Sequence, residues 1–260
     1  VGLTAAVLVI TDISGYTSFI KHRAVSLLHA EAIVTDLLEA VIDRAAHPLT
    51  VNKLEGDAAL LYAETGVDPA PAIRDAVAQV AAFFDAFTAR LGLVRDQRRH
   101  CNCEACSNIT GLALKAFVHH GEVAVKQVRQ FEELAGEEVI LIHRLLKNHV
   151  PSREYVLMTE PVKRAIGDAV PECSPLREEI EGLDPVTVWW APSDAASLRG
   201  LARSAPAATA APAPSPTAPP ESLRRFTHLP RYPVNRIAAI RDRLGMLAGS
   251  LFRRDAPRRS

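Results

Sequence analysis

Two aspartates stand where runs of apolar residues end. Asp12 closes the run in "VLVITDISGYT" (residues 7–17), and Asp57 lies in "KLEGDA" (residues 53–58). Each has a nearby glycine, Gly15 or Gly56, that permits a tight backbone. Two carboxylates brought together at strand ends can hold Mg2+ or Mn2+, hard cations that prefer oxygen ligands. An aspartate in a turn also serves turn chemistry on its own, so the pattern leaves both roles open. A second group is "HCNCEACSN" (residues 100–108). Its Cys-x-Cys-x-x-Cys spacing can close Cys101, Cys103 and Cys106 on one soft ion such as Zn2+, with His100, His119 or His120 as the fourth ligand. The same thiols could instead form a redox switch or remain inert. On a regular strand His119 and His120 face opposite sides, so a site that used both would need an irregular backbone.

A third group lies on "GEEVILIHRLLKN" (residues 136–148). Turning this stretch at about 100° per residue puts Val139, Leu141, Ile142, Leu145 and Leu146 on one wide apolar arc. The narrow remaining face carries His143, Arg144 and Lys147, with Ile140 one turn before Arg144. Such a face either meets solvent or presents its cations to an anion.

The elements that must position these residues follow from periodicity. A strand is expected at about 6–12, a helix at about 26–46, and two strands around "LEGD" near 49–63. Ile73, Val77, Val80, Phe84, Phe87 and Leu91 repeat at steps of four and three, which predicts a central helix with one core stripe. Strands near 112–119 and 122–128, a helix over about 136–148 and the strand "VTVWW" complete the pattern. This order is neither strict βα alternation nor all-β. It predicts an α+β, ferredoxin-like domain with a mainly antiparallel sheet backed by helices.

Composition sets the domain limits. Residues 1–195 read as one folded domain, 196–220 as a Pro/Ala-rich disordered linker densest at 204–220, and 221–260 as a basic, partly helical tail. The tail holds ten arginines against Glu221, Asp242 and Asp255, although the whole chain is formally neutral. Ile237, Ile240, Leu244, Leu247 and Leu251 fall at helical spacing within it. Such a tail suits an anionic partner or surface, a partner helix or self-association. Sparse aromatics make a clear nucleic-acid motif absent. No apolar run approaches the roughly 18 residues of a transmembrane segment, and Ala5 to Ile10 lacks a basic leader. Four cysteines, three of them clustered, suit a reduced, cytoplasmic setting better than a disulfide framework.

Four of these stretches together resemble a known family. "VITDISGYT" is similar to the first metal motif of class III adenylate and guanylate cyclases, and "KLEGDA" to their Lys-x-x-Gly-Asp hairpin. "LKAFVHHGEV" resembles their Gly-Ile-His-x-Gly strand pair, and "GEEVILIHRL" their Gly-x-x-Val-Asn-x-x-x-Arg helix. The matches occur in the family's order over about residues 5–190. Within that superfamily, "CNCEACSNI" with "IHRLLKN" looks most like an uncharacterised cyclase-like branch known only as a domain of unknown function.

The resemblance implies the nucleotide cyclase fold, a homodimer, and conversion of ATP or GTP to a 3′,5′-cyclic nucleotide and pyrophosphate by two-metal catalysis. It makes Asp12, Asp57 and the Ile13 carbonyl the ligands of Mg2+ or Mn2+, and Lys53 and Glu133 the base-reading pair, with a lean towards adenine. It makes the partner's Arg144 the cation that stabilises phosphate charge in the transition state. Ile140 departs from the pattern, because the family carries Asn there to orient the ribose. That departure supports two further expectations: weakened turnover, or a non-catalytic nucleotide-binding, regulatory or scaffold module. A metal- or redox-sensing module built on the thiols is a third.

Overall fold

In the computed structural model, which describes residues 2–19 and 24–204, the chain begins with β1 (Gly2–Ser14), α1 (Tyr16–Phe19) and α2 (Ala24–Ile42). There follow the hairpin β2 (Thr50–Glu55) and β3 (Ala58–Glu64), the long α3 (Ala70–Gln97) and the short α4 (Glu104–Ser107). Next come β4 (Ala113–Val128), β5 (Phe131–Ala135), α5 (Glu137–Arg144), β6 (Tyr155–Thr159) and α6 (Glu160–Ile166). The described part ends with β7 (Ser174–Glu178), β8 (Val186–Pro192) and α7 (Ala196–Ser204).

The eight strands form one sheet in the order β2-β3-β1-β4-β6-β8-β7, with β5 paired to the far end of β4. All pairings are antiparallel except β4 with β6. This is the α+β, mainly antiparallel architecture that the element order predicts.

Alternation along the strands divides the core. Val7, Val9, Ala59, Leu61, Ala116, Val118, Val156 and Met158 face α2, α3, α6 and α7 and make the larger cluster with Ile33, Leu37, Phe83 and Phe87. Ala6, Leu8, Ile10, Leu60, Phe117 and Leu157 point the other way and pack on Val139, Ile142 and Leu145 of the α5 segment. The central strands β1, β3, β4 and β6 therefore have one face committed to the long helices and one to the α5 side, which explains the nearly continuous apolar runs of β1 and β4.

Three expectations about elements change. The strands expected at 112–119 and 122–128 are one continuous β4, because β1 pairs with it from Gly2↔Val125 to Ser14↔Ala113. A partner that long outweighs the turn tendency of Gly121, and the reversal comes instead at Arg129, which has φ 57°. Residues 196–204, placed by composition in the linker, are helical in α7, whose Leu198 is fully buried. The rest of the linker from 205, and the tail at 221–260, lie outside the described residues. Finally, α3 is long and apolar enough to cross a membrane by length and composition, but half of its most apolar window is buried inside this fold. Its stripe of Ile73, Val77, Val80, Phe84 and Phe87 is core.

Candidate functional site

Asp12 continues the face of Ala6, Leu8 and Ile10 to the end of β1, and in register it stands opposite Ala58 of β3 and Lys115 of β4. Asp57 occupies the tight turn between β2 and β3, and its carbonyl accepts from the Ile13 N–H at 3.2 Å. That bond fastens the hairpin turn to the strand end and brings the two aspartates together. Burial first, and then the charge of Asp12, push the Asp57 carboxyl up to about 6. Asp12 pairs with the Lys115 ammonium at 2.6 Å, both side chains being only 18% exposed. Glu31 of α2 adds negative charge near Asp57 and accepts from the Tyr16 hydroxyl at 3.0 Å. Two oxygen-donor groups that repel one another in a half-buried turn are a donor set that fits a hard divalent cation.

The turn after Asp12 depends on glycine. Gly15 has φ 90°, and a Cβ there would stand 2.7 Å from the Gly111 carbonyl oxygen. A side chain at this position would be strained in its backbone and would collide with the segment that leads into β4.

Lys53 and Glu133, the pair joined by the cyclase resemblance, do meet. Glu133 lies on β5, and the Lys53 ammonium of β2 sits 3.6 Å from its carboxylate and 3.0 Å from that of Glu55. Burial pulls the Lys53 ammonium down, but these carboxylates outweigh it and hold it above its ordinary value. Glu55 also contacts His143 Nε2 at 3.0 Å, so a polar chain ties β5 through β2 to α5.

On α5, Ile140 is 52% exposed, and Arg144 follows one turn later, also exposed. Arg144 pairs with Glu181 at 2.6 Å, not with either aspartate of its own chain. Ile140 thus holds an outward position where an apolar side chain gains little from burial. It offers no hydrogen bond there.

His119 and His120 face opposite sides of β4, as alternation requires. His119 is buried between Thr159, 2.8 Å from its Nδ1, and Glu138, 2.6 Å from its Nε2. Burial lowers its pKa, and Glu138 only partly offsets that. Gly121 makes room for this contact, since a Cβ there would lie 2.6 Å from the Glu138 side chain. His120 faces Thr65 at 3.2 Å.

Neither residue reaches the cysteines, and His100 is engaged by Arg99. The fourth group at the thiols is instead His29 of α2, whose Nδ1 lies 3.5, 3.3 and 3.6 Å from the sulfurs of Cys101, Cys103 and Cys106. These four ligand atoms all lie within 4.8 Å of one another. Cys103 caps α4, and its sulfur accepts from the Cys106 N–H at 3.4 Å.

Reasoning from sequence missed Lys115, Glu31, Glu55 and His29, and it placed His143 on the polar face of its helix without its Glu55 partner. For His29 a signal was present: it lies one turn before Ile33, so it falls on the buried stripe of α2 with Ala30, Ile33 and Leu37. A polar residue on a core stripe asks for a partner.

The "Uncharacterized protein Rv2561/Rv2562" of Mycobacterium tuberculosis is 38% identical over 151 residues, a match covering 58% of this chain and 68% of that protein. The profile described as "Protein of unknown function (DUF2652)" matches residues 34–155. The chain belongs to the DUF2652 family. Among solved structures, this DUF2652 chain is similar to the adenylyl cyclase CyaB from P. aeruginosa, with TM-score 0.58 and 18% identity over 73% of this chain and 94% of that one. It is also similar to the guanylyl cyclase Cya2, with TM-score 0.54 and 19% identity over 72% and 91% of the two chains. A bacterial light-regulated adenylyl cyclase gives TM-score 0.52 at 15% identity, covering 78% of this chain and 98% of that one. At such identities the likeness is one of fold: this DUF2652 domain has the class III nucleotide cyclase fold.

Proposed function

We propose that this DUF2652 domain binds a nucleoside triphosphate with Mg2+ or Mn2+ in a homodimer and converts it slowly to the 3′,5′-cyclic nucleotide and pyrophosphate. The observation that carries this reading is the approach of Asp57, in the β2–β3 turn, to Asp12 near the end of β1, two carboxylates whose mutual repulsion a divalent cation relieves. When bound, the ions supply Lewis acidity at the α-phosphate and make the ribose 3′-hydroxyl a better nucleophile. Asp12, Asp57 and the Ile13 carbonyl would hold them.

Lys53 and Glu133 read the base. Their contact presents an ammonium donor beside a carboxylate acceptor, which matches N1 and the 6-amino group of adenine. Arg144 is exposed and, among the described residues, pairs with the solvent-facing Glu181, so its planar fork of donors is available to phosphate oxygens held by the other copy. In such a dimer the partner's Arg144 completes the site formed by Asp12 and Asp57.

Ile140 favours a second reading, a module that binds nucleotide without turning it over. The metal carboxylates are intact, but the position one turn before Arg144 has no donor for the ribose.

Purified dimer with Mn2+ and ATP or GTP distinguishes the two. Under the first reading cyclic nucleotide accumulates and Asp57→Ala abolishes it. Under the second, nucleotide with Mn2+ raises the melting temperature and no product forms. Neither product nor a Mn2+-dependent shift would contradict both.

A further inference from the structure

The thiol cluster is independent of the nucleotide reading, because it lies among α2, α4 and the end of the α3 segment rather than at the aspartates. A tetrahedral zinc ion has Zn–S bonds of about 2.3 Å and Zn–N bonds of about 2.0–2.1 Å, which puts its nitrogen ligand about 3.6 Å from each sulfur. The distances from His29 Nδ1 to the three sulfurs are 3.5, 3.3 and 3.6 Å. Such agreement across three separate contacts is not what packing alone produces, since hydrogen bonding needs only one thiol near the imidazole. The Cys106 N–H donating to Cys103 Sγ is the kind of outer contact that orients a thiolate ligand.

We propose that His29 Nδ1 and the sulfurs of Cys101, Cys103 and Cys106 bind one zinc-class ion, which clips α2 to the segment joining α3 to β4. Three soft thiolates and one imidazole select zinc over Mg2+ or Mn2+, and a closed set of four ligands leaves no open position for substrate. The ion is therefore structural. Binding releases the three thiol protons to solvent and leaves the sulfur oxidation state unchanged.

The clip joins residues 72 to 77 positions apart in sequence, so it closes a long loop through α3 and the β2–β3 hairpin. It also bears on the aspartate site. The segment from Cys101 runs through α4 to Gly111, whose carbonyl packs against the Gly15 turn that follows Asp12.

The test is the metal content of the full chain, expressed with zinc present and purified without chelator. About one zinc per chain is expected, and Co2+ in its place should give thiolate charge-transfer bands and the visible spectrum of a tetrahedral site. His29→Ala and Cys103→Ser should lose the ion and melt several degrees lower, whereas His29→Cys should keep it in a four-thiolate site. That rescue separates a ligand from a packing residue. The Co2+ spectrum of His29→Cys still decides the matter if His29→Ala does not fold. Full zinc content in His29→Ala, less than about a tenth of an ion per chain after zinc titration, or a disulfide among the three cysteines in freshly isolated protein would overturn the proposal.

Discussion

Asp57 is half-buried beside Asp12, and its carboxyl is pushed from an ordinary value of 3.8 up to about 6. In the metal-free protein the folded state therefore holds a proton on Asp57 at pH values where the unfolded chain has lost it. Stability from this group is present below about pH 4 and is lost as pH rises to 6. Converting the whole shift would give about 3 kcal/mol, but solvent screening of a half-exposed group reduces that to about 1 kcal/mol. Asp57→Asn should therefore be more stable than the parent above pH 6 in chelator, by about 1 kcal/mol, and the gap should close towards pH 4. Denaturant unfolding at several pH values measures it; a gap independent of pH would contradict this origin. The same substitution replaces one carboxylate oxygen of the proposed metal site, so the electrostatic cost and the proposed function reside in one side chain.

At the scale of elements, the described domain runs through α7 rather than ending at 195. Leu198 on that helix is fully buried in the cluster that also holds Phe83 and Phe87 of α3. Leu198→Ala should cost about 2–4 kcal/mol, measured as a shift in denaturant midpoint; a loss below about 0.5 kcal/mol would place α7 outside the cooperative unit. The sequence hid this helix because its neighbours are Pro/Ala-rich and composition averages over both. What periodicity made legible was the strong pattern: the stripe of α3, the apolar run of β1 and the hairpin around Gly56. Continuity of β4 through Gly121 was not legible, since it depends on β1 lying alongside over its whole length. The contact between Lys53 and Glu133 followed from the family pattern, while their link through Glu55 to His143 needed three elements in register. His29 and the cysteines are too far apart in sequence for spacing rules to join them.

For the whole molecule, membership of DUF2652 and the likeness to class III cyclases establish a fold, and the fold places an acidic end and a Lys/Glu pair on one chain with Arg144 on an exposed helix. Under the proposed cyclase reading, Asp12 and Asp57 would still hold the metal and turnover would be limited at Ile140, where the missing donor lowers the rate by roughly 10²–10³-fold, as the loss of one preorganised donor does elsewhere. Ile140 is exposed, so asparagine there should fold without a core penalty. The most direct test is the rate of cyclic-nucleotide formation by Ile140→Asn beside the parent, as dimers saturated with Mn2+ and ATP or GTP. A rise of roughly 10²–10³-fold is predicted. Equal rates, or no product from either protein although both bind Mn2+ and nucleotide, would contradict the account.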